Sequence, residues 1–246
     1  MTPDSGASAS PDKSLRGRAR WLRSLRRLNE QQENALADVF DANWGTIEPT
    51  HQRFVERFLS LLPPSGRVLD AACGTGKYFA LVLASGRCVL GVDHAGAYLA
   101  KAKQRFPDVP TERLDLQDLA SKQEFDGVMC IDAMEFVPPE DWPVIIGHFR
   151  RALRPRGWLY LTVELQPEDQ LRAGYNDARA AGLPVVEGEV IWKDPDGDLY
   201  HHYPSTKQVR AWLEEAGFQV TEEAEGPWRE NYAYHHMLAQ LVTEPD

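Results

Sequence analysis

The chain lacks any apolar run long enough to cross a bilayer, which excludes a helical membrane protein. Cysteine is scarce, with only Cys73, Cys88 and Cys130 in 246 residues. All three fall on or beside stretches that read as core strands, so they are expected as reduced structural thiols of a cytoplasmic protein rather than as disulfides or metal ligands. Positive charge is short as well: the formal net charge is −10. Residues 1–30 nevertheless hold seven basic and three acidic side chains, a net of +4 that leaves −14 for the remainder. An acidic body is a poor nucleic-acid surface. No apolar segment follows Arg26-Arg27, which argues against an export signal, and Asp4 and Asp12 argue against a transit peptide. No internal repeat is present.

What the chain does have is 43% hydrophobic content, enough for one globular domain with a full core and an appendage. Residues 1 to about 13, rich in Ser, Pro, Ala and Asp, are expected to be disordered. A short helix should follow, with Trp21, Leu22, Leu25 and Leu28 on one face and arginines on the other. Together these make a basic, partly disordered arm over 1–28. A helical cap over 29–62 carries Leu36, Val39 and Phe40, then Phe54, Val55, Phe58, Leu59 and Leu62, with a break at Asn43-Trp44-Gly45.

From 63 to 165 strands and helices alternate at the pace of a doubly wound parallel sheet. Strands are expected at Val68–Ala72, Cys88–Val92, Thr111–Leu114, Gly127–Ile131 and Trp158–Val163. Asp141 is the expected cap of the helix that begins at Pro143. Residues 166–204 break the rhythm with a helix and a hairpin turning at Lys193-Asp194-Pro195-Asp196-Gly197. The final segment, 205–246, opens with the capping box Ser205-Thr206-Lys207-Gln208 and ends in two strands expected as an antiparallel pair at the sheet edge.

The most informative stretch is Val68-Leu69-Asp70-Ala71-Ala72-Cys73-Gly74-Thr75-Gly76-Lys77, an apolar strand that ends in a tight Gly-x-Gly turn before a helix. Glycine lets backbone lie directly against a ligand, and the helix start offers free N–H groups. Seventeen residues after Gly76, the strand Cys88-Val89-Leu90-Gly91-Val92 ends in Asp93, whose carboxylate can accept from two ribose hydroxyls. A dinucleotide fingerprint needs a third glycine two residues after the pair, where this chain has Lys77, Tyr78 and Phe79. A dinucleotide oxidoreductase is therefore disfavoured.

The pattern Asp-Ala-Ala-Cys-Gly-Thr-Gly, with Gly91-Val92-Asp93 and Phe125-Asp126-Gly127-Val128, resembles the class I S-adenosylmethionine-dependent methyltransferases over about residues 66–165. The resemblance implies an α/β fold, a doubly wound, mostly parallel seven-stranded Rossmann-like sheet with an N-terminal helical cap and an inserted helix-hairpin lid. It implies S-adenosyl-L-methionine as cofactor. The methionine part would lie along Asp70, Ala72, Cys73, Gly74 and Gly76, the ribose on Asp93 beside His94, and the adenine between Tyr98 and Asp115-Leu116. Ile131 would touch the cofactor by backbone. Tyr98 reads equally as helix packing, and Asp115 or Asp118 as a helix cap.

At the end of the fourth strand the Asn/Asp-Pro-Pro-aromatic motif of nucleic-acid amino methylation is absent. Asp132 alone does not make a metal site, so none is expected. The expected activity is metal-independent transfer of a methyl group to oxygen or nitrogen of a small molecule. Arginine outnumbers lysine, a bias compatible with a secondary-metabolism enzyme. A hydroxyl acceptor calls for a general base, and the adjacent pairs His201-His202 and His235-His236 offer imidazoles. His202 on the hairpin and His236 on the last strand are the expected acceptor contacts, one of them as base, with Glu135 next in line. Trp192, Tyr200 and Tyr203 are expected to wall the acceptor pocket. The alternatives are a protein or RNA methyltransferase docking through the basic arm, a cofactor-binding module without catalysis, and a hairpin that serves as a homodimer contact.

Overall fold

The computed structural model describes residues 11–193, 197–229 and 232–242. The expected disorder at 1–10 and the centre of the expected turn, 194–196, lie outside the described residues.

Three helices lead into the sheet: α1 (Pro11–Leu36), α2 (Phe40–Trp44) and α3 (Pro49–Leu61). Five strands follow, β1 (Arg67–Ala71), β2 (Cys88–Asp93), β3 (Thr111–Arg113), β4 (Phe125–Cys130) and β5 (Leu153–Leu165), with α4 (Phe79–Ala84), α5 (Gly96–Arg105) and α6 (Trp142–Ala152) in the crossovers. The inserted segment is α7 (Glu168–Ala180) and the hairpin β6 (Glu189–Trp192) and β7 (Leu199–His202); α8 (Thr206–Glu215), β8 (Phe218–Glu225) and β9 (Ala233–Leu241) complete the chain. The large sheet runs β3-β2-β1-β4-β5-β9-β8, and β6-β7 stand apart as a two-stranded sheet. Strands β1 to β5 pair in parallel, whereas β9 is antiparallel to both β5 and β8. The strand order reverses between β1 and β4, and in open α/β sheets the crevice at that reversal is where ligands bind.

Both faces of the sheet are covered, as parallel strands require. On one face α3 buries Phe54, Val55, Phe58 and Leu59. Phe58 reaches the sheet at Gly127, where an added Cβ would come within 2.5 Å of its ring. On the other face α6 buries Trp142, Ile145, Ile146 and Phe149. The expected cap of α8 is present, with the Ser205 hydroxyl accepting from the Gln208 N–H at 3.2 Å. All three cysteines are free thiols; Cys73 and Cys130 are buried, whereas Cys88 opens β2 at its entry end and is exposed.

The largest departure from the sequence reading is the N-terminal arm. It is a single 26-residue helix, continuous across the expected boundary at 28 and already helical from Pro11. The acidic body supplies the reason. The Arg18 guanidinium grips Glu189 through two hydrogen bonds of 2.8 and 2.9 Å, pairs with Glu140, and donates to the Pro184 carbonyl. Arg26 pairs with Asp141, and Glu30 with Arg113. Asp141 is thereby drawn away from capping α6, and no side-chain cap is formed there. Trp21 places an edge against Tyr200 of the hairpin, with ring centroids 5.9 Å apart.

Glu189 is fully buried, and its oxygens also accept from the Tyr200 hydroxyl and the Val186 N–H. Removing one partner of a buried ion pair leaves an uncompensated charge and costs about 3–5 kcal/mol. Arg18→Met is therefore expected to lower the Tm markedly, with loss of structure beginning in α1 and the hairpin. Hydrogen exchange checks this. Unchanged protection of β6 and β7 would contradict it.

Candidate functional site

The carboxyl ends of β1, β2, β4 and β5 converge on one cavity of about 630 Å³, roofed by α1 and closed at its far end by the hairpin, by Gly226, Pro227 and Arg229, and by Tyr232, Ala233 and Tyr234. That volume lies within the usual range of small-molecule sites. At the end of β1 the backbone turns through left-handed conformations at Ala72, Gly74 and Gly76 (φ 62°, 54° and 76°). Glycine adopts these without strain, and alanine does so at a cost typical of functional turns. Gly76 does not line the cavity. It admits Phe79 from behind, since a Cβ there would lie 2.7 Å from the Phe79 ring. The expected direct contact by Gly76 is thus replaced by a packing role, because the turn presents Gly74 and hides Gly76.

The remaining expected cofactor residues are brought together on the cavity wall: Asp70, Ala72, Cys73 and Gly74 at the turn, Asp93, His94 and Tyr98 beside it, and Asp115, Leu116 and Ile131 across from it. Asp93 holds the turn in place, accepting from the Gly74 N–H and the Ala95 N–H, each at 2.8 Å. Burial, reinforced by Glu33, pushes its carboxyl up to about 6 against those two hydrogen bonds. Burial and the neighbouring Asp93 push Asp70 up to about 8. Asp70 Oδ2 is buried without a partner. Burial works against the charged form of His94, yet the Glu33 carboxylate beside it wins and raises the imidazole to about 9. Tyr98 packs on Phe40 with ring centroids 4.6 Å apart. Asp115 caps the short 3₁₀ turn Leu116–Asp118 by accepting from the Gln117 N–H at 3.1 Å, so it serves both as cap and as cavity wall.

The expected histidines do not reach the cavity. Strand alternation on β7 turns His201 and Leu199 toward it, and sends His202 and Tyr200 to the opposite face. His202 is 2% exposed, near Trp142, and burial lowers its pKa to about 4. His236 is fully buried under α3, where it bonds the Tyr160 hydroxyl at 2.9 Å and stacks on Phe54. Burial, then the neighbouring His51, lowers it to about 4. Both expected acceptor contacts are therefore corrected in position. None of the three residues of the expected aromatic wall lines the cavity: Tyr200 faces away and bonds Glu189 under α1, while Trp192, on the Leu199 side of the hairpin, donates to Tyr203 at 2.8 Å.

In their place stands His51, on the first turn of α3. Its Nε2 lies 2.9 Å from Asp132 Oδ1. Asp132, at φ 52°, is fixed in turn by Thr162, whose hydroxyl accepts from the Asp132 N–H at 2.7 Å and donates to Oδ1 at 3.2 Å. A carboxylate at Nε2 selects the tautomer with its proton there, leaving a lone pair on Nδ1. That atom is buried and has no partner, and His51 and Asp132 both line the cavity. His51 escaped notice in the sequence because it sits amid the core pattern of α3. The one hint was polarity at a position that the helical period assigns to the buried face.

The fold and the cavity define a class of protein that the comparisons confirm. Residues 44–223 match the family model described as a methyltransferase domain. The ubiquinone biosynthesis O-methyltransferase of Xanthomonas campestris pv. campestris is 30% identical over 198 residues, covering 74% of this chain and 75% of that protein. An uncharacterized methyltransferase of Synechocystis is 28% identical over 179 residues, covering 72% and 77%. Among solved structures, a SAM-dependent methyltransferase from Methanosarcina mazei superposes with a TM-score of 0.67 at 18% identity, covering 80% of this chain and 99% of that one. A 1,6-didemethyltoxoflavin-N1-methyltransferase from Burkholderia thailandensis, solved with its substrate and S-adenosylhomocysteine, gives 0.62 at 18% identity over 98% and 94%. The chain belongs to the methyltransferase-domain family and is an S-adenosylmethionine-dependent methyltransferase of class I fold. Among the described residues, no helix is long and apolar enough to cross a membrane.

Proposed function

We propose that this enzyme methylates oxygen or nitrogen of a small molecule without a metal ion, and that His51, oriented by Asp132, takes the acceptor's proton. The observation that carries the reading is the His51–Asp132 pair on the wall of the cavity, in which the buried Nδ1 of His51 has no hydrogen-bond partner. The O-methyltransferase and N-methyltransferase named above act on small molecules and support it by likeness.

The residues fit the cofactor. Asp70, with its orphaned buried oxygen, suits the ammonium of the methionine part, and the lone pairs that Asp93 has left suit the ribose hydroxyls. Tyr98, Asp115 and Leu116 would flank the base; His94 and Ile131 complete that wall. When bound, S-adenosylmethionine supplies a methyl group on a positively charged sulfur. What the chain adds is position, exclusion of water by α1 and the hairpin, and a base for the proton. Glu33, Asp93 and His94 bring three donor atoms within 4.8 Å of one another. The charged imidazole there already satisfies Glu33, which leaves the group ill-suited to a divalent cation. Docking of a protein or RNA on the basic arm is not favoured, since Arg18 and Arg26 are spent on Glu189, Glu140 and Asp141.

The test is an assay of labelled methyl transfer to a panel of phenols and amines, run after exhaustive chelation with and without magnesium. Turnover is expected to persist in chelator. Activity that vanishes and returns with magnesium would overturn the metal-free reading.

A further inference from the structure

Beyond His51, the far end of the cavity holds a second polar group with no work in the scheme so far. The 3₁₀ turn Met134–Phe136 places Glu135 on the wall, 5% exposed. Its carboxyl receives a long 3.5 Å hydrogen bond from Tyr234 at Oε1 and a backbone contact from its own N–H, and its Oε2 is buried with no partner. Glu164 of β5, 8% exposed, lines the same cavity. It accepts from Gln166 at 3.3 Å and has His201 Nδ1 at 3.4 Å. Among the described residues, no lysine or arginine is paired with either carboxyl; of the cations that line the cavity, Arg229 is taken by Glu48 and Arg26 by Asp141, and Lys77 faces Asp132 and Glu48. Phe136 and Tyr234 add aromatic surface to the same wall.

We propose that Glu135 and Glu164, flanked by His201, recognise a protonated amino group on the methyl acceptor, so that the substrate is an amine-bearing hydroxyl compound with its hydroxyl at His51. This rests on the small-molecule reading given above. Two buried carboxyls would repel an anionic acceptor, and a wholly apolar one would leave Glu135 Oε2 without a partner. An ammonium meets both carboxyls and is attracted by the aromatic rings. Burial, then Glu164 and Asp132, raise Glu135 well above the ordinary carboxyl range. Such a shift favours the protonated carboxyl in the free protein, and an arriving cation would displace that proton. The groups facing Glu135 are Glu164, Asp132, the Cys130 thiol and the hydroxyls of Tyr234 and of Tyr203, which also bonds His201 Nδ1 at 2.7 Å; burial raises the thiol and both hydroxyls and keeps them neutral.

The experiment uses full-length protein saturated with S-adenosylhomocysteine, whose binding is measured first by calorimetry. Tyramine is then compared with 4-ethylphenol, which keeps the phenol and lacks the ammonium. Tyramine is expected to bind at least about tenfold tighter and to release protons, as read from calorimetry in two buffers of different ionisation enthalpy. In the double variant Glu135→Gln, Glu164→Gln the preference should fall to within about twofold, with S-adenosylhomocysteine affinity and circular dichroism unchanged. Equal binding of the two probes to the parent, failure of both to bind, or a preference that survives in a folded double variant would overturn the proposal. Protein that does not bind S-adenosylhomocysteine would instead overturn the reading on which it rests.

Discussion

Replacing His51 with Asn will lower kcat for a hydroxyl acceptor by about 10²- to 10⁴-fold, the usual worth of a positioned general base, while the affinity for S-adenosylmethionine stays within about twofold. The asymmetry follows from where the imidazole stands. It lies on the cavity wall in the first turn of α3, tied to Asp132 after β4 and packed against the rings of Tyr234 and His236. Asn retains an N–H for Asp132 but has no basic nitrogen. Asp132→Asn should cost less, because Asp132 acts through His51: it fixes the ring and favours the cation that forms. Steady-state kinetics with a neutral amine acceptor supplies the control, since an amine nucleophile needs no prior deprotonation. A His51→Asn enzyme that turns over a phenol like the parent would show that the base lies elsewhere.

Asp93→Ala will weaken S-adenosylmethionine by about 10²- to 10⁴-fold, because two hydrogen bonds to a charged group are each worth about 1.5–3 kcal/mol. The same carboxylate also braces Gly74 and Ala95, so the turn that faces the methionine part loses its anchor with it. Asp93→Asn, which keeps the shape but can accept at only one atom, should fall between. Acid has a related effect. Ribose hydroxyls donate to the ionised carboxylate, and Asp93 titrates at about 6 in the free protein. Affinity in the parent should therefore fall as pH drops through about 6, and this dependence should vanish in Asp93→Ala. Calorimetric titrations across that range measure both.

Much of this site was readable in the chain because it is local. The strand, the Gly-x-Gly turn and Asp93 occupy a fixed spacing, and ten of the eleven residues expected around the cofactor do line the cavity. The exception, Gly76, shows where spacing stops: a turn has an inside and an outside, and only Phe79 behind it tells which is which. The acceptor end depends on long-range packing. His51 and Asp132 are 81 residues apart and meet only when α3 crosses the end of β4. Alternation correctly implied that one histidine of the pair on β7 would face inward, but gave no sign of which face was the cavity. The arm's single helix is not legible in its own residues because its arginines find their partners, Glu140, Asp141 and Glu189, more than a hundred residues away.

The cavity at the ends of β1 and β2 is expected to be the S-adenosylmethionine site. Isothermal titration of S-adenosylmethionine into folded full-length protein tests it most directly. One site per chain is expected, with S-adenosylhomocysteine competing for it and Asp93→Ala sharply weakening both. A folded protein that gives no saturable heat, or one whose binding is indifferent to Asp93, would contradict the account.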